Sequence, residues 1–169
     1  MHREFEPAGP TPDYQPPTSA EELLERYAKG ERYFQYAELG GAQLNGADLR
    51  GVNLEDADME DAQLKGADFR NAWLRSANME DSDLSGACLV NANLRGAYFH
   101  GANFEGADLS DAILSGADLR YSDMRGADLT WAILYGANLT DADLTGVIWA
   151  NTICPDGSLS SDNNPGCGL

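Results

Sequence analysis

Histidine, cysteine and clustered carboxylates are the side chains from which most catalytic and metal sites are built, and this chain uses them sparsely or repetitively. Its two histidines are His2, in a proline-rich stretch, and His100, on an outward position with no nucleophile or carboxylate set around it. No CxxC pair, HExxH segment, Ser/His/Asp set or glycine-rich phosphate loop occurs. Cys154 and Cys167 bracket a tail rich in Pro, Gly, Asn and Ser, and a bond between them would close a loop worth about 3 kcal/mol in the chain-entropy model. Cys88 is the odd one out. A reactive thiolate there would need a nearby cation, and nothing in its own column of the repeat supplies one. Glu60-Asp61 and Glu80-Asp81 are paired oxygen donors of the kind a divalent cation takes, and they are the candidates for a metal site. The Asp56-Ala57-Asp58 stretch and the Asn138-Leu139-Thr140 sequon are products of a repeat rather than motifs in their own right. The expectation is a protein that is not an enzyme, with no catalytic residues and no cofactor.

Charge narrows the partners. The chain has 28 acidic and 11 basic residues, a formal net charge of −17 and a pI near 4.2, which argues against direct binding to nucleic acid or an anionic membrane. A basic protein partner, a cation and simple solubility remain. No run approaches the roughly 18 apolar residues that a membrane span requires. Met1 to Pro17 has no apolar core of a signal peptide, so the cytoplasm is the default expectation. Periplasm or thylakoid lumen is the alternative if a leader has been removed and Cys154 and Cys167 are oxidised.

The element that must position these residues is a period of five. From Leu39 to Trp149 every fifth residue is large and apolar, and two places before each stands Ala, replaced only at Val52, Ser82, Ser122 and Val147. Residues 37–151 read as 23 consecutive pentads. Five is the period of neither an amphipathic helix nor an alternating strand; it specifies a solenoid. One large and one small inward residue per pentad fill a narrow interior, where backbones approach closely and overpacking is costly. Glycine recurs at the fifth position, Gly41 and Gly46 being the first, where corners call for positive φ. Residues 1–18, rich in proline, read as a flexible or extended arm. Residues 19–36 read as a capping helix and lead-in: Ser19 with Glu22 is a capping-box pair, Gly30 ends the helix, and Leu23, Leu24, Tyr27 and Ala28 offer an apolar face to the open first coil. Residues 152–169 read as a loop that covers the other end.

The string A(D/N)LXX over 37–151 resembles the pentapeptide-repeat family. The resemblance implies an all-β solenoid, a right-handed quadrilateral β-helix with one pentad per face and about 20 residues per coil. That gives about 5¾ coils and, at about 4.8 Å per strand, a rod roughly 27 Å tall. The lead-in Tyr27–Arg32 and the tail Thr152–Gly157 are similar to those of cyanobacterial members, some of which are exported. A hexapeptide β-helix would need a six-residue register, and none survives.

Stacking residues one coil apart then sorts the outward chemistry by face. The residue before each large one points outward and is polar except at Trp73, Cys88, Tyr98, Ile113, Ile133 and Ile148. Trp73, Asn93, Ile113 and Ile133 fall on one face, with Tyr135 beside Ile133, and form an exposed apolar stripe suited to a protein partner or to self-association. Acids gather on another face, where Glu60 stacks on Glu80 and Asp61 on Asp81. Three functions follow as expectations: a non-enzymatic structural or protein-interaction scaffold; a DNA mimic acting on a type II topoisomerase, as the resemblance implies for some members; and divalent-cation binding at the stacked acids. For the second, 19 acidic and 7 basic residues in the repeat leave a net −12, against about 16 charges on duplex DNA of that height.

Overall fold

The computed structural model describes residues 11–160 and Cys167. Its backbone repeats one turn of five residues. In each, the small inward residue's N–H donates back to the carbonyl of the large residue three places earlier: Ala42 N to Leu39 O at 2.9 Å, and Ala47 N to Leu44 O at 3.1 Å. The third residue of each such turn has positive φ, the signature of a type II turn. Glycine fills many of these positions at no steric cost. Asp, Asn or Ser occupies most of the others, and Tyr36, Tyr121 and Trp131 the rest, with φ of 60°, 58° and 62°.

Between turns, each face contributes a very short strand segment, paired in parallel with the segment four pentads away, as in Glu38 with Asp58 and Asn93 with Ile113. Three amides per pentad carry the ladder: Leu39 N donates to Asp58 O, Gly41 N to Glu60 O, and Asp58 N to Ala37 O, at 2.7, 2.7 and 2.8 Å. A four-pentad offset means four faces, a quadrilateral coil. The first face is centred on Leu39, the second on Leu44, the third on Leu49 and the fourth on Leu54. The core is the stack of large residues with alanines between them, nearly all fully buried. Phe99 and Phe104 meet edge to face inside a corner at 4.9 Å. Where serine replaces the small alanine, its hydroxyl is satisfied locally: Ser82 and Ser122 donate to Met79 O and Leu119 O, both at 2.7 Å. Among the described residues no buried side-chain polar atom lacks a partner.

The pairing runs one pentad further than 37–151 at each end. Tyr33 pairs with Asn53 and Ile153 with Ile133, and Phe34 and Cys154 take buried central positions. The five-residue beat hides there because Arg32 and Thr152, not alanine, stand two places before Phe34 and Cys154. Thr152 is buried nonetheless, its hydroxyl donating to Leu129 O at 2.7 Å.

Helix α1, Ala20–Ala28, precedes the coil. Ser19 is its N-cap, accepting from Glu22 N at 3.2 Å, while the Glu22 carboxylate accepts from Thr18 N, one residue earlier than the reciprocal capping box requires. Leu23 is buried in the core cluster and Tyr27 packs at its edge, but Leu24 faces outward. Gly30 has φ 95°. The arm expected over 1–18 divides: residues 1–10 lie outside the described residues, and within 11–18 Tyr14, Pro16 and Pro17 pack while the others stay exposed. Pro17 is buried and accepts from Glu38 N at 2.9 Å, and Tyr14 hydroxyl donates to Gln35 O at 2.8 Å. Proline removes donors but leaves carbonyls free to pair, so a proline-rich strand can seat on the edge of the coil.

Candidate interaction surfaces

The outward residue before each centre has a structural task. Its side-chain oxygen accepts a hydrogen bond from the backbone N–H two residues on, closing an Asx turn. Asn53 caps Glu55 N at 3.0 Å, Asp83 caps Ser85 N at 2.9 Å, Asn103 caps Glu105 N at 2.9 Å, and Asp128 caps Thr130 N at 2.8 Å. This is why the repeat reads A(D/N)L: aspartate and asparagine reach their own backbone, and longer or apolar side chains do not. Every apolar residue at this position therefore gives up a cap.

Trp73, Ile113 and Ile133 do so on the fourth face. They stack in one ladder, Asn53–Trp73–Asn93–Ile113–Ile133–Ile153, as the stripe requires. The stripe is less bare than the sequence suggests, because strands above and below cover each side chain. Trp73, Asn93, Ile113 and Ile133 are half-buried, and only Tyr135, 63% exposed, stands clear. Three further exposed aromatic groups occupy the positive-φ corner position: Tyr36, Tyr121 and Trp131. Tyr121 rests edge-on against His100 at 5.2 Å, one coil below and beside the exposed Tyr98. The sequence signal for these corners was a bulky residue in the glycine position.

The acids of the first face stack as expected. Glu38 pairs with Asp58 through the backbone, and Asp61 N donates to Glu80 O at 2.9 Å. Glu60, Asp61 and Asp81 are exposed and Glu80 is half-buried. Among the described residues, no three His, Cys, Asp or Glu side chains converge in a way that could hold a metal ion. The square coil holds stacked carboxylates on a flat face, pointing outward side by side rather than toward a common centre.

Most arginines of the coil, by contrast, are paired. Arg50, Arg70, Arg120 and Arg125 each fold back on the aspartate two residues earlier at 2.5–2.6 Å. The Arg50 fork holds the Asp48 carboxyl down at about 2, and Asp68, Asp118 and Asp123 lie below the ordinary aspartate range for the same reason. These exposed pairs add little to stability, but they neutralise cations locally. A charge cluster that the sequence did not reveal lies beside α1: Arg26 bridges Glu22 and Glu31 at 3.0 and 2.6 Å and lies over the rings of Tyr14 and Phe34. Burial pushes the Tyr14 hydroxyl up to about 12. Tyr14, Arg26, Glu31 and Tyr33 line a shallow cavity there, with the guanidinium already satisfied.

Cys154 and Cys167 are joined as a disulfide, with Cα atoms 5.1 Å apart. Both are buried, and Ser160 hydroxyl donates to Trp149 O beneath them. Cys88 is free and half-buried between Asp68 and Asp108. No helix among the described residues is long and apolar enough to cross a membrane.

The family model for pentapeptide repeats matches residues 42–81, 77–116 and 112–148. Among solved structures, the chain is similar to alr5209, a pentapeptide repeat protein from Nostoc Pcc 7120, at 31% identity over 80% of this chain and 98% of that one, TM-score 0.39. It is similar to Rfr23 from the cyanobacterium Cyanothece 51142 at 26% identity over 79% and 95%, TM-score 0.41. It is also similar to QnrB1, described as a plasmid-mediated fluoroquinolone resistance protein, at 18% identity over 72% and 84%, TM-score 0.43. No curated protein sequence matches it.

Proposed function

Because the chain belongs to the pentapeptide-repeat family, whose fold is the right-handed quadrilateral β-helix, we propose that it is a non-enzymatic protein-interaction scaffold. On this reading a coiled rod that runs one pentad beyond 37–151 at each end, capped by α1, holds flat faces rigid for a partner. The observation that carries the reading is the set of missing caps. Asp or Asn at the outward position closes its own turn throughout the coil, yet Trp73, Ile113 and Ile133 leave that bond unmade on one face. Each substitution costs local stability and adds apolar surface outside, the balance expected where binding and not folding sets the residue. Mimicry of duplex DNA asks for charge spread around the rod, and the fourth face is apolar where it should be acidic. The stacked acids Glu60, Glu80, Asp61 and Asp81 lack the converging third ligand that a divalent cation favours. The Cys154–Cys167 bond supports an oxidising compartment such as periplasm or thylakoid lumen.

The test is affinity capture from the native host with wild-type protein, Trp73→Ala and Ile113→Asp. Loss of the same partner in both variants, with each still folded by circular dichroism, is the expected result. A partner profile unchanged by both removes the stripe as a contact surface.

A further inference from the structure

We propose that the corner between the third and fourth faces, at the C-terminal half of the rod around Trp131 and Ile148, docks an apolar segment with basic flanks from another protein. The proposal rests on the scaffold reading and narrows it to one place and one partner chemistry.

The corner carries two separate costs that its own fold does not recover. Trp131 sits at φ 62°, a conformation most other turns give to Gly, Asp, Asn or Ser and that bulky L-residues resist. Its indole is 59% exposed, and among the described residues it makes no ring-to-ring or cation–ring contact. Ile148 is 49% exposed and stands where an aspartate or asparagine would cap the N–H of Ala150. Strain and exposed apolar area at one corner, without an internal contact to explain them, point outward to a ligand.

These residues form one surface. Trp131 N donates to Ala150 O at 2.8 Å, which places the indole beside the strand that bears Ile148. Around the corner Ile133 pairs with Ile153, and Ile153 with Leu159. Tyr135 and Leu159, 63% and 64% exposed, extend the patch to the tail, so it wraps two faces and reaches the disulfide-pinned end.

Charge selects the occupant. The segments that build this part of the two faces, 106–116, 126–136 and 146–160, contain no lysine or arginine. Their only charges are Asp108, Asp111, Asp128 and Asp156, and among the described residues none of the four is in a salt bridge. Within these segments the rim of the apolar corner is acidic, and the cation that adjoins it, Arg125, is already paired with Asp123 and Glu105. A second copy would bring the same negative rim and a net charge of −17 against it. A segment that pairs apolar residues with lysine or arginine satisfies both parts of the surface.

The experiment uses fluorescein-labelled peptides at physiological salt, read by anisotropy: alternating leucine and lysine as the probe, with serine–lysine and leucine–glutamate peptides of equal length as controls. The full chain is compared with Trp131→Asn, Ile148→Asp and the double variant. Wild type is expected to bind the leucine–lysine peptide at least about tenfold tighter than either control. The double variant is expected to lose at least about tenfold for that peptide. Its melting temperature should hold or rise, because asparagine suits the left-handed turn and aspartate restores the cap on Ala150 N. Equal binding of the serine–lysine peptide, undiminished binding by the double variant, or a melting point lower by more than about 5 °C each overturns the proposal. So does sedimentation showing that wild type self-associates and the double variant does not. Failure here while partner capture still depends on Trp73 and Ile113 removes the corner alone and leaves the scaffold reading intact.

Discussion

Replacing Asn103 by alanine isolates the bond on which the repeat grammar rests. Asn103 is uncharged and half-buried, and its side-chain oxygen accepts from Glu105 N at 2.9 Å. The substitution leaves net charge and the core untouched. A side-chain cap to a backbone N–H is worth about 0.5–2 kcal/mol, and here the freed N–H faces outward and can bond to water, which places the loss at about 0.5–1 kcal/mol. For a chain of this length that corresponds to roughly 1–4 °C in melting temperature. Asn138 caps Thr140 N at 3.1 Å on another face, far enough away for the two losses to add. The double alanine variant should therefore melt roughly 2–8 °C below wild type. Asn103→Asp keeps the acceptor and should melt close to wild type. Urea and thermal denaturation followed by circular dichroism measure all three. A double variant that melts within about 1 °C of wild type, or an aspartate as damaging as alanine, refutes the claim that the outward polar residue is there to close its turn.

Truncating Phe99 to alanine removes a fully buried ring packed on Phe104 and should cost about 3–5 kcal/mol in urea unfolding; a loss below about 1 kcal/mol would mean that the corner collapses around the gap. Reducing Cys154–Cys167, thirteen residues apart, should release about 3 kcal/mol of loop constraint. That loss should appear first as faster amide exchange at Thr152 and Ser160, and protection unchanged by reductant would show that the end holds without the bond. Because Arg50 holds Asp48 at about 2, and Arg70, Arg120 and Arg125 likewise depress Asp68, Asp118 and Asp123, the stabilisation from these pairs is complete above the ordinary aspartate range. It is lost as pH falls toward about 2. Carboxyl NMR titration should find all four displaced downward, Asp48 to about 2, and high salt should shrink the displacement.

The amino-acid sequence determined the coil, because a five-residue beat of large, small and turn-forming residues has one periodic solution and repeats it often enough to override any local preference. It determined both ends of the helix as well, since Ser19 and Glu22 act within the first turn and Gly30 just past the last. It located the stripe residues on one face once four pentads were taken to make a coil, and the ladder through Trp73, Asn93, Ile113 and Ile133 follows that register. What it could not give is anything set by contacts between distant segments. Pro17 and Tyr14 of the proline-rich stretch pack because Glu38 and Gln35 happen to offer partners, and no local pattern announces this. Cover is likewise a tertiary quantity: neighbouring strands half-bury Ile113 and Ile133, while a corner throws Trp131 into solvent. The stacked carboxylates show the same limit, for the repeat places Glu60 over Glu80, but the flatness of the face decides that they never converge. Periodicity fixes which way a side chain points; only the packed molecule decides what it meets there.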